Sequence, residues 1–412
     1  MLDIPRLRQQ FPALSAQRNG RTPIFLDGPA GTQVPRRVVE AMSHALFYAN
    51  ANHGGAFATS RESDRILEAA HQAAADFLHA PSADEIIFGQ NMTTQTLHLS
   101  RALARTWKPG DEILVTRLDH DANVTPWVLA ARDAGATVRF VDVHPEDCTL
   151  DLASFRSQLN ERTRLVAVGL ASNVAGTINP VGVIAAEAKR VEALVFVDAV
   201  HFAPHGSIDV QTLGCDFLAC SAYKFFGPHV GILWGKRALL ESLAAYKVRP
   251  APNELPGKWM TGTQNHEGIA GVAACIDYLA EIGRGLGAAG RRGELMAAMA
   301  AIQAYERGLG ERLLAGLAQR PRFTVWGIRD PQRLHERVPT VIFTDRTQRP
   351  RAIAEFLAAR DIYVWSGNNY AQEISQRLGL EERGAFVRLG LVHINTEAEI
   401  DQTLAVLDEL PE

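Results

Sequence analysis

The stretch Leu194-Val195-Phe196-Val197-Asp198, followed by Asp216-Phe217-Leu218-Ala219-Cys220-Ser221-Ala222-Tyr223-Lys224, decides how the chain is read. Runs of consecutive apolar residues without polar alternation describe strands buried on both faces, as in a parallel sheet. An aspartate that closes so apolar a strand needs a cationic or hydrogen-bonding partner to stay charged. Lys224 is the only charged residue between Asp216 and Lys236, and aromatic residues bracket it. Two readings fit: a lysine snorkelling to the surface, or a desolvated amine with a lowered pKa, the form that makes Schiff bases.

Outward from this core the same alternation continues. Strands are expected near Glu85–Phe88, Glu112–Thr116, Thr137–Val141, Arg164–Leu170, Leu194–Asp198, Asp216–Cys220 and Val230–Trp234. Helical segments such as Thr94–Thr106, Thr125–Ala134 and Val181–Arg190 separate most of them, which gives βαβ units and a mainly parallel sheet. A short Gly-Pro loop separates the last two strands, so they are antiparallel or non-adjacent, because a parallel crossover needs more chain. Gly283–Gly293 marks a boundary. Its Gly285, Gly287 and Gly290 match the dinucleotide pattern GxGxxG but follow a helix (Gly271–Ile282), so a helix-end or linker role is the better reading. Beyond it lie a long helix at Glu294–Leu317 and strands at Phe323–Trp326, Pro339–Thr344, Ile362–Trp365 and Phe386–Val392. Helices at Pro350–Arg360 and Glu397–Leu410 complete an α+β pattern. The expected organisation is an N-terminal segment (1–24) packing on the small domain, a large domain (25–282) and a small C-terminal domain (283–412).

Composition narrows the function classes. The 412 residues carry 42 basic and 46 acidic side chains, a net charge of −4, and 47% are hydrophobic. Disorder is excluded, and a nucleic-acid partner is not expected without a basic excess. The longest uncharged run, Leu165–Ala186, holds Ser172, Asn173, Thr177, Asn179 and Pro180, so it reads as strand, polar loop and helix, not as a membrane span. Four cysteines (Cys148, Cys215, Cys220, Cys275) form no CxxC pair, and no metal site is expected. With no secretory segment among the first twenty residues, the expected location is the cytoplasm.

In an open α/β sheet, ligands gather beyond the carboxyl ends of the strands. There the sequence places Thr93 and Thr94 at a helix start suited to phosphate, His120, Asn173, Asp198 with His201 three residues on, and Lys224. For Thr93 taken alone, ordinary helix capping is the better reading. Together the set matches the needs of pyridoxal 5′-phosphate (PLP), which uses a Schiff-base lysine and an acidic partner for its ring nitrogen.

The motifs Asp119-His120-Asp121-Ala122-Asn123 through Pro126-Trp127, Ser172-Asn173 with Gly176-Thr177, Val197-Asp198-Ala199-Val200-His201 and Ser221-Ala222-Tyr223-Lys224 occur in this order. With them the chain resembles class V aminotransferase-fold PLP enzymes, in the cysteine desulfurase and selenocysteine lyase branch. The resemblance runs from Phe25-Leu26-Asp27 to Asn395-Thr396. It implies PLP fold type I, like aspartate aminotransferase: an α/β fold with a seven-stranded sheet, helices on both faces, and a smaller α+β domain. It also implies roles. Lys224 would carry PLP and move the substrate Cα proton, Asp198 would pair with the ring nitrogen, and His120 would stack on the ring. His201 and Asn173 would lie near the ring hydroxyl, and Thr93, Thr94, Ser221 and Tyr223 would hold the phosphate. Thr263 would reach a phosphate across a homodimer interface with shared sites. Arg388 would fork onto the carboxylate of a small amino-acid substrate.

Departures from the resemblance bear on function. Where desulfurases of this branch carry a loop cysteine in a pattern like Arg-Thr-Gly-His-His-Cys-Ala, this chain has Trp365-Ser366-Gly367-Asn368-Asn369-Tyr370-Ala371. Tyr370 stands at the position of the thiol and Trp365 at that of the arginine, and no cysteine follows Cys275. The loops Gly28-Pro29-Ala30-Gly31-Thr32 and Asn52-His53-Gly54-Gly55 also differ and are expected to face the substrate. The expected activity is C–S lyase chemistry (β-elimination) on a cysteine-type amino acid without a protein persulfide. Aminotransfer or epimerisation is the alternative, and a catalytically silent PLP-binding protein the minor one.

Overall fold

A computed structural model of the chain describes residues 2–18 and 20–411. After a short N-terminal helix (Ile4–Arg8), two longer helices precede the first strand of the main sheet, α1 (Arg36–Tyr48) and α2 (Ala58–Leu78). The sheet is built from β1 (Ile86–Gly89), β2 (Glu112–Thr116), β3 (Thr137–Val141), β4 (Thr163–Gly169), β5 (Leu194–Asp198), β6 (Phe217–Ser221) and β7 (Gly231–Gly235). Their order is β1-β7-β6-β5-β4-β2-β3. All pairings are parallel except those of β7, which runs antiparallel to both β1 and β6. The short loop between β6 and β7 therefore makes a direct return, the first of the two arrangements its length allows.

Both faces of the sheet are covered. Val195 and Val197 join one core with Leu114 and Val166, while Phe196 points the other way to join Ile113, Val115 and Ala167. This two-sided burial is the reason the strands read as unbroken apolar runs. Helices α3 (Met92–Ala104) and α4 (Thr125–Ala134) supply Leu99, Leu103 and Trp127 to the second face. Helices α5 (Val181–Lys189) and α6 (His266–Gly285) supply Ile184, Val272 and Ile276 to the first, with Val38 of α1 and Phe77 of α2.

The glycine-rich stretch after α6 is a helix-to-helix turn into α7 (Arg291–Ala318), capped by Gly290. A Cβ on Gly283 would lie 1.8 Å from the Glu294 carbonyl oxygen, so this glycine permits the close approach of two helices. A second, four-stranded antiparallel sheet follows, in the order β8-β9-β11-β10: β8 (Phe323–Trp326), β9 (Thr340–Asp345), β10 (Trp365–Gly367) and β11 (Phe386–Gly390). Helices α8 (Pro350–Ala358) and α9 (Glu397–Asp408) pack on it around Ile353, Leu357, Ile400 and Leu407.

Two expectations are corrected here. The strand Ile362–Trp365 is two pieces: Ile362 and Tyr363 pair in parallel with Ile24 and Phe25, and only from Trp365 does the chain pair with β11. The N-terminal segment packs on more than the small sheet's layer. Phe11 meets Phe226 and Tyr278 edge-on in the main core, while Arg8 pairs with Glu399 of α9 at 2.8 Å. Among the described residues, no helix is long and apolar enough to cross a membrane.

Candidate active site

The carboxyl ends of β1, β2, β4, β5 and β6 open on one edge of the main sheet, beside a cavity of about 710 Å³. Thr93 and Thr94 line it from the start of α3, and His120 from the turn after β2. Asn173 enters after β4, Asp198 and His201 from the end of β5, and Ser221, Tyr223 and Lys224 from the end of β6. Nine of the expected site residues thus meet in one space. Thr263 does not line it; it lines a neighbouring cavity that shares Gln90, Thr94 and His229 with the first.

Burial sets the protonation states. Desolvation lowers the Lys224 pKa to about 7, with the nearby Arg388 charge acting in the same sense and Asp198 and Asp27 opposing it. The amine donates to the Pro29 carbonyl, so the desolvated reading of this lysine holds over the snorkelling one. Burial raises Asp198 to about 6 although its Oδ1 accepts a 2.8 Å bond from the Val200 amide. His120 is lowered to about 3 by burial, then by Lys224 and Arg388, so it presents a neutral ring. His201 is held neutral by burial and joins the Thr340 hydroxyl at 2.9 Å.

One carboxylate escaped the sequence reading. Asp119, one residue before His120, is 3% exposed and raised to about 8, first by burial and then by the charge of Asp198. Its Oδ1 accepts from the Gly169 amide at 2.7 Å and its Oδ2 from Asn123 Nδ2 at 3.1 Å, while Trp127 Nε1 donates to Asn123 Oδ1 at 3.0 Å. Gly169 is the register partner of Asp198. A polar run such as Asp119–Asn123 reads as a solvated turn, and only the fold reveals that its first residue is buried beside a second acid.

At the other end of the cavity lies the N-terminus of α3. The helix starts two residues earlier than expected because Asn91 caps it, accepting from the Thr94 amide at 2.9 Å and the Thr94 hydroxyl at 3.0 Å. Capping is therefore the work of Asn91, not Thr93. The Met92 amide donates to Ser221 Oγ at 3.0 Å, which leaves the serine hydroxyl free to donate to a ligand. A Cβ on Gly231 would come within 2.5 Å of the Asn91 backbone, so this glycine lets the helix start lie against β7.

Arg388, on β11, is buried; its Nη1 donates to the Asn173 carbonyl at 2.9 Å and, among the described residues, its Nε has no partner. Asn173 Oδ1 is likewise buried without a partner. Burial lowers the Arg388 pKa to about 9, and Asp27 acts against this. The 28–32 loop faces the site as expected: Pro29 meets Lys224, and the Thr32 amide donates to the Tyr223 carbonyl at 2.9 Å. Asn52 and His53 instead line a third cavity with Thr263 and His266, away from Lys224 within this chain.

The segment after β10 reaches over the cavity. The Asp121 amide donates to the Tyr370 carbonyl at 2.7 Å, and Asn173 Nδ2 donates to the Asn369 carbonyl at 2.9 Å. The Tyr370 ring stacks on His120 at 5.3 Å between centroids and 21° between planes. All four cysteines are buried. Desolvation pushes Cys148 and Cys215 up to about 12, and raises Cys220 and Cys275 as well, so none offers a thiolate at neutral pH.

Comparison with known proteins finds relatives along nearly the whole chain. The family model "Aminotransferase class-V" matches residues 24–403. A cysteine desulfurase of Yersinia pestis (strain Pestoides F) is 32% identical over 426 aligned residues, covering 99% of this chain and 98% of the relative. A cysteine desulfurase of Pectobacterium atrosepticum matches at 32% with the same coverage. The apo structure of a cysteine desulfurase from Thermococcus onnurineus NA1 superposes with a TM-score of 0.88 at 26% identity, covering 99% of this chain and 98% of that one. The Escherichia coli cysteine desulfurase CsdA, solved as an S-sulfonic acid, gives 0.85 at 26% identity with the same coverage.

Proposed function

Because the chain belongs to the class V aminotransferase family, whose members are PLP-dependent enzymes, we propose that it cleaves the C–S bond of a cysteine-type L-amino acid by β-elimination, without a persulfide on the protein. The observation that carries the reading is a full set of PLP-type residues beside a thiol-free site. Tyr370 occupies the loop, and every cysteine is buried.

The donor set fits the cofactor. Asp198 is a buried acid with a backbone N–H partner and no cation bonded to it, a setting that favours a protonated ring nitrogen beside it. Thr93, Thr94 and Ser221, with Tyr223 beside them, would take the phosphate at the positive end of α3. His120 would cover the ring face, and His201 with Asn173 would flank the ring hydroxyl. When bound, PLP withdraws electrons from the substrate Cα. Lys224, with a pKa of about 7, would carry the cofactor and then take the Cα proton as a neutral amine. Arg388 would turn its unpartnered Nε and its fork to the substrate carboxylate. Elimination then needs no second protein nucleophile: the sulfur leaves with the Cβ–S electron pair, and water completes pyruvate and ammonium.

A homodimer is part of this reading. Helix α1 exposes Val39, Leu46, Phe47 and Tyr48, an apolar face open in the single chain, and Thr263 is free to serve a partner's phosphate. The domain division at 25–282 and 283–412 belongs to it too, with the site between the two sheets. The test is one turnover of the purified holoenzyme with L-cysteine. Pyruvate and sulfide with the cofactor still as pyridoxal phosphate support elimination. Pyridoxamine phosphate with a keto acid would make the protein an aminotransferase and overturn the reading.

A further inference from the structure

Free cysteine has one atom beyond Cβ, and the mouth of this site is built for more. Arg388 and Trp365 are register partners on adjacent antiparallel strands, so their side chains emerge on the same face of the small sheet. That face is the one from which Arg388 reaches Asn173 of the main sheet's loop. Trp365 is 49% exposed and Tyr370 72% exposed, both unusual for such large rings. Tyr370 also lines the Lys224 cavity and is stacked on His120. Its loop is fixed there: Asn369 and Tyr370 both hold positive φ (52° and 60°), a region that side chains adopt at a cost, and hydrogen bonds from Asp121 and Asn173 tie both carbonyls down. The same cavity carries apolar surface from Leu97, Pro126 and Leu129.

We propose that Trp365 and Tyr370 form an aromatic subsite beside the carboxylate-binding Arg388, and that the substrate is an L-cysteine conjugate with a bulky apolar or aromatic group on sulfur. The inference rests on the elimination reading above. In the reaction the Cα proton is removed, the Cβ–S bond breaks with both electrons going to sulfur, and the thiolate takes a proton to leave as RSH. The remaining 2-aminoacrylate tautomerises and is hydrolysed by water to pyruvate and ammonium. No oxidant or second thiol enters the balance. The aromatic pair supplies what a free-cysteine enzyme lacks, a π surface for the group that leaves.

Binding and chemistry are tested separately on the holoenzyme. L-Phenylalanine and L-alanine, which carry no leaving group, are titrated by the change in cofactor absorbance. Two aromatic contacts predict a Kd for L-phenylalanine about tenfold below that for L-alanine. Trp365→Ala and Tyr370→Ala each remove most of that preference while L-alanine binding stays within about twofold; Tyr370→Phe, which keeps the ring, retains it. Equal binding of the two amino acids by the unmodified enzyme, or variants that weaken both alike, overturns the subsite. In the second arm, S-phenyl-L-cysteine is turned over to thiophenol and pyruvate with kcat/KM about tenfold above that for L-cysteine. A kcat/KM equal to or below that for L-cysteine overturns the proposed substrate class. Selective L-phenylalanine binding without pyruvate from S-phenyl-L-cysteine upholds the aromatic subsite and overturns the elimination reading.

Discussion

Asp119 and Asp198 lie side by side under the cavity floor, two acids in a setting that tolerates little charge. The folded protein keeps a proton on Asp119 up to about pH 8, whereas the unfolded chain releases it near the ordinary value of 3.8. Between those values the folded state binds more protons, so the free energy of unfolding falls as pH rises. Asp119→Asn removes this contribution. The cofactor-free variant should lose less thermal stability across that window than the unmodified protein, and an unchanged slope would contradict the assignment. The sequence singled out Lys224, Asp198 and His120 as candidates because each lies at or just beyond the end of a strand whose apolar run fixes where it ends. It did not disclose Asp119, whose burial depends on Gly169 closing over it from a strand fifty residues on, with Asn123 of its own turn holding the second oxygen. Nor did it disclose the meeting of Asp27 with Arg388 and Lys224, which the fold brings together from three distant segments.

At the scale of elements, period and composition located the seven strands of the main sheet to within a residue or two, since two-sided burial leaves an apolar run in all but the edge strand β3. Pieces that take their identity from a partner were harder to see. The split at Val364 exists because Ile362 and Tyr363 pair with the N-terminal Ile24 and Phe25 before the chain turns to β11. Helices α1 and α2 carry no strand alternation to announce them. In the stretch Gly283–Gly293, Gly287 and Gly290 hold the positive φ of the turn between α6 and α7, and Gly283 permits the two helices to pack. Gly283→Ala should cost about 1–3 kcal/mol, because its methyl group meets the Glu294 carbonyl oxygen. Gly285→Ala, with nothing within 4 Å, should be neutral or stabilise by about 0.4–1 kcal/mol. Urea unfolding separates the two. Similar losses at both glycines would mean the spacing, not the helix contact, is what the protein needs.

Across the whole molecule, the main sheet and its helices supply Asp198, Lys224 and the N-terminus of α3, while the small sheet supplies Arg388, Trp365 and the loop that carries Tyr370. Fold type, cofactor class and the residues of the candidate cavity were legible from motif order. Thr263, which the resemblance gives to a partner's site, lies outside the Lys224 cavity of its own chain. Sedimentation velocity should find a dimer, and Phe47→Glu on the exposed face of α1 should shift it toward monomer; a wild-type monomer would contradict shared sites. If elimination is the reaction, sulfur leaves without passing through the protein. The intact mass of the holoenzyme, stopped during turnover of excess L-cysteine while pyruvate is being released, should then be that of an unmodified polypeptide. A chain heavier by one or more sulfur atoms, restored to its starting mass by a reductant, would contradict it.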